Sequence, residues 1–235
     1  MNPLERIDYA DGATALTGWL ARPSGKARAA VAVFPTVMNM TPGIEAKARA
    51  LAEAGCLALV ADFYGPDAPH DLQGALVAME RLRADPPAMR ARLRATLAAL
   101  AAAAPGLPQM AIGFCLGGMA VLELARDGAD LVLGTSFHGL LATPLPATAP
   151  IKPRLLVCHG DADSLVPRCD VIALWEELDR VGADWHFMSF ARTEHSFANP
   201  FTPAGEPNPA YHPVADRQSW AALMGLIDEV APRSA

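Results

Sequence analysis

Six residues, GFCLGG at 113–118, set a thiol among glycines, directly after the apolar run QMAIGF and directly before a helix-like stretch. A reactive residue at such a strand-turn-helix junction occupies a nucleophile elbow, where a sharp turn lifts the side chain over the end of a sheet. Gly113, Gly117 and Gly118 suit that turn, because it forces unusual backbone angles and brings helix and strand too close for a Cβ. The helix start adds positive potential at Cys115, which favours the thiolate and a developing oxyanion. The amide N–H of Leu116 is in place to bind that oxyanion. The chemistry this predicts is attack of sulfur on a carbonyl carbon.

A thiol nucleophile needs a base and a group that orients the base. HGDADSLVP (159–167) offers Asp163 and EHSF (194–197) offers His195, each just after a strand-like run, LLVC and HFMSF. Asp163 lies 48 residues beyond Cys115, and His195 another 32 beyond that. Those gaps suit crossover units that return the chain to one sheet edge, in the chain order nucleophile, acid, histidine. Asp161 competes locally with Asp163, and for either the alternative is a turn residue that caps backbone N–H groups. His138, at the end of SFHG, and Phe197, in EHSF, are candidates for the pocket wall. His159 reads as a core histidine with its hydrogen bonds satisfied, and His70, His186 and His212 as surface or packing residues. Cys56, Cys158 and Cys169 read as buried thiols.

The elements that must position these groups follow from the pattern. Ile7–Ala10, a turn at Asp11 and Gly12, and ALTGWLA form an N-terminal hairpin. Continuous apolar runs then alternate with amphipathic stretches: AAVAVF (29–34), a helix near 44–54, CLALVADF (56–63), two helices within 72–104, QMAIGF, a helix from Leu116, DLVLGTSF (130–137), LLVCHG (155–160), a helix after Pro167, DWHFMSF (184–190) and a helix near 216–230. Apolar strands separated by helices mark a parallel sheet covered on both faces, so the expected class is α/β, one domain over 1–235. ATPLPATAPIKP (142–153) reads as a surface loop.

Composition narrows the partners. With 235 residues, a net charge of −6 and no basic face, the chain is not expected to bind nucleic acid. The stretch RLRADPPAMRARLRA reads as a solvated helix face with Arg stems covering apolar surface. No run reaches the ~18 apolar residues of a membrane helix, and the N-terminus carries charges where a secretory signal is apolar. A cytoplasmic protein without membrane contact is therefore expected. The cysteines form no Cys-x-x-Cys pair or Cys/His cluster, so no metal is expected.

Together, G-x-C-x-G-G, H-G-x-x-D-x-x-V-P and E-H-S-F resemble the dienelactone hydrolase family of α/β-hydrolases, and the likeness extends over nearly the whole chain. The resemblance implies an α/β-hydrolase fold with Cys115 as nucleophile, His195 as base and Asp163 holding the imidazole. It also implies Val37, in the loop FPTVMN, as the second oxyanion donor. The activity implied is cleavage of an ester or lactone bond in a small molecule through an acyl-enzyme, with no cofactor. Two positions depart from the family pattern. Thr36 stands where well-known members have a glutamate beside the thiol, and Asn199 stands where they have an arginine for the substrate carboxylate. Asn cannot supply a bidentate, always-charged ligand, so neutral esters or lactones are the expected substrates. The stretch 199–213 is expected to shape the pocket mouth. The alternative class is a non-catalytic small-molecule-binding or thiol-sensing protein on the same fold.

Overall fold

The computed structural model describes residues 4–202 and 204–233. Strands β1 (Glu5–Asp11) and β2 (Thr14–Ala21) form an antiparallel hairpin whose turn uses Gly12 at φ 55°, a backbone region open to glycine at little cost. The other strands are β3 (Ala29–Phe34), β4 (Cys56–Val60), β5 (Gln109–Phe114), β6 (Leu133–Phe137), β7 (Arg154–Gly160) and β8 (Trp185–Phe190). They make one sheet in the order β1-β2-β4-β3-β5-β6-β7-β8. From β4 to β8 every pairing is parallel, and β2 joins β4 antiparallel. The architecture is the mostly parallel, helix-flanked α/β-hydrolase sheet with an antiparallel N-terminal pair that the sequence predicts.

The period-two alternation of a strand explains why the central runs are apolar throughout. In β3, Val31 and Val33 face the layer of α1 (Pro42–Glu53) and α6 (Pro213–Val230), where Ile44, Leu51, Leu223 and Ile227 pack. Ala30, Ala32 and Phe34 face the opposite layer of α3 (Pro86–Ala103) and α4 (Leu116–Arg126), against Met89, Leu93 and Val121. Helix α5 (Arg168–Arg180) covers β7 on that side with Val171, Leu174 and Leu178. Helix α2 (Leu72–Arg83) is different, because only Ala75 among its residues is buried. Among the described residues, no helix is long and apolar enough to cross a membrane.

Local boundaries follow capping chemistry. Asp71 caps α2 through Gly74 N–H at 2.7 Å, and Asp85 caps α3 through Ala88 N–H at 3.0 Å just before the prolines, which splits the helical stretch in two. Helix α6 starts at Pro213 rather than near 216, because the His212 ring nitrogen accepts the Ala215 N–H at 3.2 Å. Two arginines of the 81–94 stretch are less solvated than their sequence suggests: Arg90 pairs with Glu123 at 2.8 Å and Arg92 with Asp11 at 2.8 Å, all four side chains being largely covered, whereas Arg94 is about half exposed as expected.

The strand order has one further consequence. The chain leaves β3 for β4 on one side and reaches β5 on the other, so the carboxyl ends of β3 and β5 flank a topological switch point, where open sheets of this kind bind ligands.

Candidate active site

Cys115 follows β5 at that switch point. Its backbone sits at φ 57°, ψ −115°, a region that costs a side-chain-bearing residue about 1–3 kcal/mol. The surroundings leave it no choice. A Cβ on Gly113 would overlap the Gly117 carbonyl, and one on Gly117 would overlap the Phe34 carbonyl, so strand and helix touch here backbone to backbone. The Cys115 N–H is shared between the carbonyl oxygen of Phe137 at 3.0 Å and Nδ1 of His138 at 3.1 Å. Leu116 opens α4, so its N–H has no acceptor within the helix and stands beside the thiol.

The register of the parallel strands brings the other two residues to the same edge. Asp163 is buried in the turn after β7. Its Oδ2 accepts the His195 Nδ1–H at 2.7 Å, and its Oδ1 accepts the Leu165 N–H at 2.9 Å. Asp161 points outward and pairs with Arg168 at 2.6 Å, so the local competition resolves to Asp163 as the partner of His195. Burial on its own would lower the His195 pKa. The bonds to Asp163 and to the Cys115 thiol outweigh it and raise the value to about 10, so the ring is imidazolium at neutral pH. Among the described residues His195 Nε2 makes no hydrogen bond of full geometry, although the Cys115 sulfur lies near enough to raise the ring's pKa.

Cys115 and His195 open into a cavity of about 690 Å³ that also takes in Thr36, Val37 and Asn199. Thr36 turns its hydroxyl back to accept the Met38 N–H at 3.3 Å. Asn199 lies in the loop after His195, which Asn208 ties down by donating to the carbonyls of Ser196 at 3.3 Å and Asn199 at 2.8 Å. Among the described residues lining this cavity there is no Lys, Arg, Asp or Glu.

Two expected pocket residues stand behind the wall instead of lining it. His138 and Phe197 are both fully buried. His138 has φ 40°, a turn that directs its ring under Cys115, and Phe197 follows Ser196 at φ 63°, which directs the phenyl inward against His138 at 5.3 Å. Burial and the charge of His195, whose ring lies 5.2 Å away edge-on, hold the His138 pKa well below its ordinary value. The ring is therefore neutral, with its proton on Nε2. His159 is not the satisfied core histidine that its position suggests: it is buried, and neither ring nitrogen has a hydrogen-bond partner among the described residues. Cys56 and Cys158 are buried thiols as expected, but Cys169 is exposed, because position 169 falls off the Val171–Leu174–Leu178 stripe of α5.

Sequence reasoning missed two supports of the site. Asn39, at φ 56°, donates to Asp62 Oδ1 at 2.7 Å and accepts the Phe63 N–H at 3.1 Å, clamping the Thr36–Val37 loop to the segment after β4. Tyr64, in that segment, buries an unpartnered hydroxyl whose pKa is raised by burial and then by the charge of Cys115. An Asn in a positive-φ turn and a tyrosine just past an apolar strand were the available signals.

Comparison with known proteins agrees with this fold. A profile described as the dienelactone hydrolase family matches residues 16–231. A solved structure designated m3DLH is 37% identical, covers 97% of this chain and 98% of its own, and superposes with a TM-score of 0.88. A dienelactone hydrolase-like promiscuous phosphotriesterase from metagenomic libraries is 33% identical, covers 97% of this chain and 99% of its own, and has a TM-score of 0.88. A Bradyrhizobium sp. protein named as a probable 2-oxo-3-(5-oxofuran-2-ylidene)propanoate lactonase is 26% identical over 92% of this chain and 90% of that protein.

Proposed function

The chain belongs to the dienelactone hydrolase family and is a hydrolase, and from that premise we propose that it cleaves neutral ester or lactone bonds of small molecules through an acyl-thioester on Cys115. The Cys115 thiolate, beside the His195 imidazolium, attacks the carbonyl carbon, and the oxygen takes up negative charge between the N–H groups of Leu116 and Val37. As the bond to the alcohol oxygen breaks, His195 Nε2 gives its proton to the leaving alkoxide. The thioester now carries no charge, so of the two groups that raised the imidazole pKa only Asp163 remains. The neutral ring takes a proton from water, hydroxide adds to the thioester carbonyl, and the C–S bond breaks. This releases the acid and restores thiolate and imidazolium. Asp163 keeps the ring in one tautomer and orientation throughout.

The observation that carries this reading is that one cavity is lined by both a strained, helix-capping thiol and an imidazole anchored at 2.7 Å to a buried carboxylate. Beyond Cys115 and His195 the described lining carries no charged side chain, and with Asn199 this supports neutral substrates, because a buried carboxylate without a cationic partner is costly. Hydrolysis of p-nitrophenyl acetate by Cys115→Ala tests the nucleophile. Loss of at least about 10⁴-fold in kcat/KM is expected. Undiminished turnover would make the thiol a bystander and favour a binding or sensing role.

A further inference from the structure

Helix α2 is amphipathic and only partly committed to the core: Ala75 is buried and Ala78, Met79 and Leu82 pack against the core's edge, half covered. Leu72, Leu76 and Met79 fall at i, i+4 and i+7, on one face, and all three line the catalytic cavity. Leu72 and Leu76 remain 48% and 40% exposed. Leu165 and Phe201, 57% and 58% exposed, line the same cavity. Four of the large exposed apolar side chains among the described residues thus line the cavity that holds Cys115.

Both supports of this rim are ordered by the site itself. Leu165 is held by its N–H bond to Asp163 at 2.9 Å, and the Phe201 loop hangs from the carbonyls that Asn208 clasps. A volume of about 690 Å³ falls within the ~300–1,000 Å³ of pockets that enclose drug-sized ligands, far more than an acetyl group fills. An apolar rim continuous with the nucleophile and free of charged groups has one fitting occupant: a neutral, extended hydrocarbon chain on the substrate.

Resting on the reading of this cavity as the reaction site, the geometry points to esters or lactones bearing a medium-length apolar chain, laid between the α2 stripe and the Leu165–Phe201 side, as the substrate class. A chain of this kind buries its methylenes against apolar side chains, whereas a chain ending in a carboxylate would bring a charge to a rim with no cation to receive it.

The test is two homologous series measured on the intact protein: p-nitrophenyl acylates from acetate to decanoate, and acetates of alcohols of the same lengths. In at least one series kcat/KM is expected to rise about fourfold per added methylene until the cavity is filled. A half-ester ending in a carboxylate should fall at least tenfold below its methyl-terminated counterpart. Leu76→Ser combined with Phe201→Ser, both at exposed positions that put little folding energy at risk, should flatten the slope and lower the octanoate-to-acetate ratio; circular dichroism verifies the fold. Flat profiles in both series, a preference for the anionic ester, or an unchanged ratio in the double variant would each overturn this substrate class. Those outcomes are distinct from failure of the nucleophile assignment, which would show as acetate turnover surviving in Cys115→Ala.

Discussion

The two ends of helix α4 are built on opposite terms. At its C-terminal end, Arg126 is 2% exposed in its side chain and saturated with acceptors: Glu123 at 2.9 Å, Glu177 at 2.8 Å and the Leu141 carbonyl at 2.9 Å. Glu177 in turn accepts the Ala147 N–H at 2.6 Å, which pins the proline-rich loop to the body of the protein. At the N-terminal end, Cys115 is strained, and Ser136 Oγ, Tyr64 OH, His138 Nε2 and His195 Nε2 are buried around it without full partners. Of the buried side-chain polar atoms without partners among the described residues, all but those of Arg28 and Thr135 gather at the carboxyl edge of the sheet or just past it. Satisfied polar groups hold the scaffold rigid at one end, whereas at the other the unpartnered atoms lie beside and behind the cavity, and of their residues His195 lines it. One helix joins the two, the C-terminal end tied to the scaffold and the N-terminal end held by the backbone contacts at Gly113 and Gly117.

That contrast can be broken at either end. The largest expected effect is at the catalytic end. Asp163→Asn removes the carboxylate that holds His195, and kcat should fall by about 10³–10⁴-fold. Its pH profile is the sharper readout. With the His195 pKa raised to about 10, kcat/KM in the native protein should hold through neutral pH and fall as the imidazolium deprotonates near that value, and in the variant the alkaline limb should move down. The sign for stability is the same. A pKa raised from 6.5 contributes stability that is complete below about 6.5 and is lost as pH rises through about 10.

At the saturated end, Glu177→Ala leaves the Arg126 charge buried and short of its main partner, which should cost about 3–5 kcal/mol in urea unfolding. Activity per folded molecule should stay within about twofold of the native value. Against the cost of its burial, the bond to Arg126 holds the Glu177 pKa below its ordinary value, so its stabilisation is present above pH 4.5 and lost as pH falls through the lowered value. The variant should therefore lose part of its acid sensitivity. A variant that kept its stability would show that the network is ornamental and the contrast false.

The smallest effect expected is at His138, which touches the elbow without reaching the cavity. His138→Leu deletes the acceptor shared by the Cys115 N–H and should lower kcat by about tenfold with KM little changed, the loss of one hydrogen bond. His138→Asn, whose side-chain oxygen can stand near the Nδ1 position, should recover most of it. Equal damage from both would mean that the ring acts by packing alone.

Much of this was legible in the sequence because the signals were local and repeated. Apolar strand runs, Gly113 and Gly117, and the spacing from Cys115 to Asp163 and His195 each follow from backbone geometry. The directions of His138 and Phe197 were not legible. Each depends on a left-handed residue at 138 or 196, and nothing in His or Ser marks such a conformation in advance. The state of His159 was hidden for a related reason, since a strand position reveals burial but not which polar atoms a neighbour will reach. The apolar face of α2 was visible as a pattern, but its pairing with a cavity in place of a sheet depends on tertiary placement.

The sheet order distributes the side chains of the proposed triad unequally. Cys115 extends from β5, which has neighbours on both sides, whereas His195 extends from β8, the outermost strand, half uncovered and paired along one side only. Fraying of that margin would withdraw the proton carrier while the sulfur stayed in position. Under the mechanism proposed above, such a protein would stall midway, its alcohol gone and its acyl group left on sulfur with no base to activate water.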